Sequence, residues 1–101
     1  KFDIVVVDPP SFAKRDSERD RAIRSYGQLT KLAIKLVAKN GLLVMASCSS
    51  RVSADEFFRT VIYELERSNK GFEEINRTFH DVDHPIGFPE GAYLKCGYFK
   101  M

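Results

Sequence analysis

Two short stretches of this sequence carry side chains that can do chemistry. Asp8-Pro9-Pro10 directly follows the apolar run Ile-Val-Val-Val, and Ser47-Cys48-Ser49 directly follows Gly-Leu-Leu-Val-Met-Ala. A carboxylate accepts hydrogen bonds, so Asp8 can hold an amino group or a ring N–H. A cysteine in its thiolate form is a nucleophile towards carbon. If both stretches face one ligand, they predict a site that binds a small molecule and attacks it.

The neighbours of Asp8 extend this hypothesis. Pro9 and Pro10 stiffen the chain and remove two backbone donors, which leaves carbonyl acceptors free. Phe12 offers a flat surface on which a base could stack. Simpler interpretations stay open, because Asp-Pro-Pro is also a common turn at the end of a strand. A lone cysteine such as Cys48 or Cys96 is often a small buried hydrophobe, and Phe12 could simply fill the core.

The hydrophobic pattern predicts the elements that would position these side chains. Residues 2–7 carry Phe, Ile and three consecutive valines, and residues 41–46 are apolar up to Ser47, which is typical of strands covered on both faces. Between them a helical stripe is predicted, closed by Gly41. Its apolar positions are Leu29, Leu32, Ala33, Leu36 and Val37.

A second helix and two more strands are predicted in the rest of the chain. Ser53 and Glu56 form the Ser-x-x-Glu arrangement of a helix start, and an apolar stripe follows. The stripe consists of Phe58, Val61, Ile62 and Leu65. Residues 72–79 and 93–99 are the strand candidates, and the Pro- and Gly-rich residues between them predict a loop.

This order predicts an α/β fold with a mostly parallel sheet. Right-handed crossovers make the first three strands parallel and put both helices on one face, whereas the last strand is antiparallel. Ligands of such sheets bind beyond the carboxyl ends of the parallel strands, where Asp8 and Cys48 are expected. The other, apolar face would stay bare. Because the chain also begins inside a strand, we expect it to be part of a longer protein.

Composition sets wider bounds on class and compartment. The 101 residues are 44% hydrophobic and 30% charged with a net charge of +2, which indicates one small globular unit. No apolar run approaches the ~20 residues of a membrane span, so no membrane association is expected. The two cysteines lack metal-ligand spacing and favour a reduced, cytoplasmic setting without a metal. Charges near Lys14 and Arg15 are typical of a solvated segment.

Several separated motifs resemble one family in the family's own order. They are DPPSF at residues 8–12, YGQLTKLAIKLVAKNG at 26–41, ASCSS at 46–50 and HP…FPEGAYLK at 84–95. This is the family of S-adenosylmethionine-dependent RNA methyltransferases that make 5-methylcytosine in large-subunit ribosomal RNA. The resemblance implies that residues 1–101 are the C-terminal half of a Rossmann-like class I catalytic domain. The glycine-rich cofactor loop and the RNA-binding domain would then lie outside this chain.

The resemblance also implies a role for each matched residue. Cys48 would be the nucleophile, and Asp8 would accept from the cytosine amino group and, with Pro9, line the S-adenosylmethionine pocket. The substrate-binding residues would be Pro10, Phe12, Lys14 and Ser47. Many family members carry Lys where this chain has Ser11, which puts the target position in doubt; Lys14 and Arg15 are close enough in sequence to compensate.

Two alternatives remain open at this stage. Ribosomal RNA guanine methyltransferases and other nitrogen methyltransferases share the Asp-Pro-Pro strand end but need no nucleophilic cysteine, so Cys48 discriminates against them. Alternatively, the chain is a non-catalytic fragment that binds RNA or a partner. We expect the 101 residues alone to be inactive and to self-associate through the uncovered sheet.

Overall fold

The computed structural model describes residues 1–11, 13, 15–49, 51–79 and 94–101. The elements are β1 (Phe2–Val7), a 3-10 turn (Asp16–Glu18), α1 (Arg19–Leu36), β2 (Val37–Ser47), α2 (Ala54–Arg67), β3 (Glu73–Phe79) and β4 (Lys95–Lys100). The predicted order of strand, helix, strand, helix, strand and strand is confirmed.

The four strands form one sheet in the order β1-β2-β4-β3. β1 pairs in parallel with β2, and Val7 lies opposite Met45 at the end of the ladder. β4 is antiparallel to both β2 and β3, as predicted for the last strand. Three strands therefore run in one direction, but only β1 and β2 are parallel neighbours, because β4 lies between β2 and β3.

Both helices pack on the same face of the sheet. Their buried side chains form one cluster with residues of β2 and β4, and rings meet edge-on within it: the centroids of Tyr26 and Phe57 are 5.2 Å apart. The largest fully buried side chains are Tyr26, Phe57, Phe58, Phe99, Leu43, Met45 and Leu65. This core holds α1 directly beneath the carboxyl ends of β1 and β2.

The opposite face of the sheet is uncovered at β1. Side chains alternate along this strand: Val5 and Val7 pack against the core, whereas Phe2, Ile4 and Val6 are 60%, 63% and 61% exposed. An apolar strand with one row of side chains in solvent is unusual, because such strands are ordinarily covered on both faces. The predicted bare face is therefore present.

The predicted end of the first helix was wrong. The helix ends at Leu36, Val37 begins β2, and Gly41 lies inside that strand. The reason is local: Val37 already has an extended backbone, with φ −81° and ψ 135°, and the left-handed Asn40 (φ 68°) is an irregularity within the strand instead of a helix cap. Gly41 is required there by close approach, since a Cβ would lie 2.8 Å from the carbonyl oxygens of Ala38 and Asp3.

The buried face of α1 also differs from the predicted stripe. Leu32 and Leu36 are 56% and 47% exposed, whereas Thr30 is fully buried. Burial of Thr30 is tolerated because its hydroxyl donates to the Tyr26 carbonyl oxygen at 2.7 Å. The capping prediction for α2 is confirmed: the Ser53 hydroxyl accepts from the Glu56 N–H, and the Glu56 carboxylate accepts from the Ser53 N–H, both at 3.1 Å.

Candidate active site

Asp8 and Cys48 follow two neighbouring parallel strands. Because Val7 pairs with Met45, the end of β1 and the end of β2 lie at the same edge of the sheet. Asp8 is exposed, and Cys48 is partly buried. The structure thus provides the strand arrangement on which the predicted site depends.

A buried hydrogen bond supports the residue before Cys48 from below. The Ser47 hydroxyl donates to the Tyr26 phenol oxygen at 2.7 Å, and neither side chain is exposed. The Ser49 N–H donates in turn to the Ser47 hydroxyl at 3.3 Å. Ser47, predicted to bind substrate, has its hydroxyl engaged in this internal network, and its substrate role stays a prediction.

The backbone carbonyl of Ala13 connects the two stretches that carry Asp8 and Cys48. Ala13 is 1% exposed, and its oxygen accepts from the Ser49 hydroxyl at 3.4 Å. The same oxygen accepts from the Ser11 hydroxyl at 3.2 Å. The segment after β1 and the segment after β2 therefore share one acceptor, which fixes their separation. Ser11 thus bonds within its own loop.

Lys95 reaches the same region from β4. It is 4% exposed, and its ammonium donates to the Ser49 carbonyl oxygen at 2.9 Å. In the ladder between β2 and β4 it lies opposite Ser47. Burial lowers the pKa of Lys95, and electrostatic attraction to Cys48 partly opposes that change.

Asp8 and Cys48 both affect the pKa of Tyr26. Burial raises the pKa of Tyr26, the hydrogen bond from Ser47 lowers it, and the negative charges of Cys48 and Asp8 raise it further. The phenol therefore stays neutral, and it accepts from Ser47 without adding a charge beneath the site. Asp8 and Cys48 are therefore both near enough to Tyr26 for their charges to affect its hydroxyl.

Sequence reasoning missed both Tyr26 and Lys95. Tyr26 was used only as the start of a helix, although a tyrosine in an inward-facing row ordinarily finds a partner for its hydroxyl. The signal for Lys95 was the alternation along β4, where it shares a face with Gly97 and Phe99, both buried. A lysine in such a row predicts a specific acceptor.

The remaining predicted site residues divide into two groups. Pro9 is partly buried and Pro10 is exposed, so both can face a ligand beyond β1. Phe12 and Lys14 lie outside the described residues, and their predicted roles stay predictions.

A prominent cavity in the described part of the chain lies elsewhere. It has a volume of about 630 Å³ and is lined by residues at the start of β1 and the end of β4, including Lys1, Asn40 and Met101. It is therefore at the sheet edge opposite to Asp8 and Cys48. Among the described residues, no group of three His, Cys, Asp or Glu side chains could hold a metal ion. No helix in those ranges is long and apolar enough to cross a membrane.

Solved structures with the same arrangement of elements are methyltransferases or are assigned as such. A protein from Streptococcus mutans assigned as a SAM-dependent methyltransferase superposes with a TM-score of 0.73 over 98% of this chain and 25% of its own, at 18% sequence identity. A second structure, assigned as a methyltransferase and solved with SAH, gives the same TM-score and covers 26% of that chain. The chain has part of the methyltransferase fold.

In this methyltransferase fold the sheet edge that carries Asp8 and Cys48 is the carboxyl end of two parallel strands, where open α/β sheets bind ligands. The predicted fold class is confirmed, as is the partial nature of the domain relative to these structures.

Sequence relatives are named as ribosomal RNA methyltransferases. A ribosomal RNA large subunit methyltransferase from Deinococcus radiodurans is 41% identical over 100 residues, which is 99% of this chain and 24% of the relative. Ribosomal RNA large subunit methyltransferase I from Shewanella frigidimarina is 38% identical over 96 residues, which is 93% of this chain and 24% of the relative. The chain thus spans about a quarter of the length of the curated relatives it matches. No protein-family model matches the sequence.

Proposed function

We propose that this chain is the C-terminal part of the catalytic domain of a ribosomal RNA methyltransferase. In the complete protein it transfers a methyl group from S-adenosylmethionine to C5 of a cytosine, with Cys48 as the covalent nucleophile. The observation that carries the proposal is the pairing of β1 with β2, which brings Asp8 and Cys48 to one edge of the sheet. The proposal of ribosomal RNA as substrate is supported by the names of the relatives. The two free cysteines support a location in the reducing cytoplasm.

The residues present fit one side of a cofactor pocket. Asp8 offers an exposed carboxylate and Pro9 a partly buried ring directly after β1, at the edge where this fold binds its ligands. These two residues would hold S-adenosylmethionine on one side. When bound, the cofactor supplies an electrophilic methyl group.

The chemistry explains why a thiolate is needed. C5 of cytosine is a poor nucleophile, so Cys48 first forms a bond between its sulfur and C6 of the ring. C5 then has the electron density of an enamine and takes the methyl group. A base removes the C5 proton, and the electron pair of that C–H bond re-forms the ring double bond and expels the Cys48 thiolate. Asp8 accepts from the cytosine amino group and keeps the ring in register with Cys48.

The test uses the complete parent protein with S-adenosylmethionine and target RNA that contains 5-fluorocytidine. Fluorine at C5 blocks the last elimination, so we expect a protein–RNA adduct that survives denaturation. The adduct should disappear in Cys48→Ala and persist in Cys96→Ala, which removes the other cysteine of the chain. Methyl incorporation that survives Cys48→Ala, without any adduct, would make Cys48 a packing residue and establish a nitrogen methyltransferase.

A further inference from the structure

Lys95 is the one lysine that the structure buries within its described ranges. The side chain is 4% exposed, on a strand face that it shares with the buried residues Gly97 and Phe99. Moving an ammonium out of water is costly unless it is paired or hydrogen-bonded. A methionine or leucine would fill the same position without that cost. The charge at this position therefore calls for a reason beyond packing.

The contacts of Lys95 are made with the residues on either side of Cys48. Across the strand ladder it lies opposite Ser47, and its ammonium donates to the carbonyl oxygen of Ser49 at 2.9 Å. Ser49 lies beyond the end of β2, where the regular strand pairing has stopped. The Lys95 ammonium therefore takes the place of a backbone donor to its carbonyl oxygen. Lys95 thereby holds the segment that carries Cys48 from below and from one side.

The charge of Lys95 acts on Cys48 as well. The ammonium and a thiolate at Cys48 attract each other, which opposes the effect of burial on the pKa of Lys95. Two other described groups near the site, Tyr26 and Asp8, do not provide this attraction. Tyr26 is neutral because burial raises its pKa, and Asp8 is an anion that repels a thiolate.

We propose that Lys95 is a positioning residue for Cys48. Its hydrogen bond to Ser49 fixes the backbone on which Cys48 is presented, and its ammonium attracts the thiolate through which Cys48 reacts. This inference rests on the proposed function, in which Cys48 is the nucleophile. Lys95 acts on the reaction through Cys48.

The test measures the reactivity of Cys48 without any methyl transfer. The complete parent protein is treated with iodoacetamide at neutral pH, and alkylation is followed on the Cys48 peptide by mass spectrometry. We expect Lys95→Met to slow this alkylation several-fold, because the variant removes both the donor to the Ser49 carbonyl and a cation that attracts a thiolate at Cys48. Lys100→Met is the matched control, since Lys100 is an exposed lysine of the same strand and should leave the rate unchanged.

A second variant separates charge from geometry. Lys95→Gln keeps an N–H donor for the Ser49 carbonyl but has no charge, so it should fold like the parent protein and still slow alkylation. Wild-type rates of both variants in folded protein would overturn the proposal. If neither variant folds, the wild-type protein decides. The rate of Cys48 alkylation by anionic iodoacetate is divided by the rate with neutral iodoacetamide, in native protein and in urea. A nearby cation should make this ratio higher in the native protein, and an equal ratio overturns the proposal.

Failure of this proposal can be distinguished from failure of the proposed function. Adduct formation with 5-fluorocytidine tests whether Cys48 is the nucleophile, and the alkylation rate tests whether Lys95 controls its thiolate. Lack of an adduct together with slowed alkylation in Lys95→Met would refute the reaction and keep the electrostatic pair. An adduct together with unchanged alkylation would do the reverse.

Discussion

Tyr26 and Ser47, separated by 21 positions in sequence, are joined by a 2.7 Å hydrogen bond in the core. The bond connects the middle of α1 to the last residue of β2, directly before Cys48. A helix that packs against a sheet is thereby fixed at one point beneath the candidate active site. The geometry of the strand end depends on this contact as much as on the sheet.

Loss of the Tyr26 hydroxyl should destabilise the fold. In Tyr26→Phe the buried Ser47 hydroxyl loses its acceptor, which should lower the free energy of unfolding by about 1–3 kcal/mol. Urea denaturation of the chain measures this change. Tyr63→Phe is the control, because Tyr63 is 57% exposed and its hydroxyl can be solvated, so its value should stay close to that of wild type. Equal stability of both variants would show that the buried bond contributes nothing net.

A methyl group at position 97 should be more damaging than one at position 71. The Cβ of Gly97→Ala would lie 2.8 Å from Phe99 Cε2 and 3.0 Å from Phe58 Cε1, so both rings must move. We expect a loss of about 1–3 kcal/mol in unfolding free energy. At Gly71 no atom lies within 4 Å of such a Cβ, so Gly71→Ala should change stability little. Thermal denaturation of the pair would contradict the packing argument if the two midpoints shifted equally.

The start of α2 should make stability sensitive to acid. The pKa of Glu56 is lowered from 4.5, first by its hydrogen bond from the Ser53 backbone. A lowered folded-state pKa means that this contribution is fully present above pH 4.5 and is lost as pH falls through the folded value. Glu56→Gln should therefore cost about 1 kcal/mol at neutral pH and less at pH 3. The measurement is urea denaturation at both values, with Glu66→Gln, an exposed glutamate late in the same helix, as the control.

Self-association of the 101-residue chain should proceed through the uncovered face of β1. Ile4 is 63% exposed, so Ile4→Lys places a charge in that apolar row without disturbing the core. Sedimentation velocity should show assembly of the wild-type chain and a shift towards monomer for Ile4→Lys. Tyr63→Lys changes an equally exposed apolar residue on α2 and should not shift it. A wild-type chain that is monomeric at high concentration would contradict this prediction.

The element order could be predicted from the sequence because each element has a clear hydrophobic pattern: apolar runs for the first two strands and helical stripes for the two helices. The strand-end position of Asp8 and Cys48 followed from that order alone. The end of α1 could not, since the apolar spacing of Leu32, Leu36 and Val37 continues past it. Only the structure shows where the helix stops: β2 pairs with β1 from Val37 onward, and Asn40 has a left-handed backbone within that strand.

Buried polar residues were the other limit. Thr30 lies inside α1 because it bonds to a carbonyl one turn earlier, a partner that hydrophobic periodicity does not contain. Lys95 is buried because its acceptor is at Ser49, 46 positions away. Lysine side chains ordinarily lie in solvent. Lys95 is an exception because of its contact with Ser49, which exists only once the sheet is formed. The side chains that position Cys48 are therefore the ones that sequence reasoning finds last.

The place of β4 between β2 and β3 has a consequence for how the molecule is built during synthesis. Among the described strands, β3 has β4 as its neighbour, so it stays unpaired in this sheet until β4 leaves the ribosome and bonds to both β2 and β3. The pairing of β4 with β2 and with β3 therefore forms only after the last described strand has been made. Contacts between segments far apart in sequence slow folding. Lys95 arrives with that same strand. A nascent chain that has already made Asp8 and Cys48 thus acquires the cation beside the cysteine only when its sheet closes.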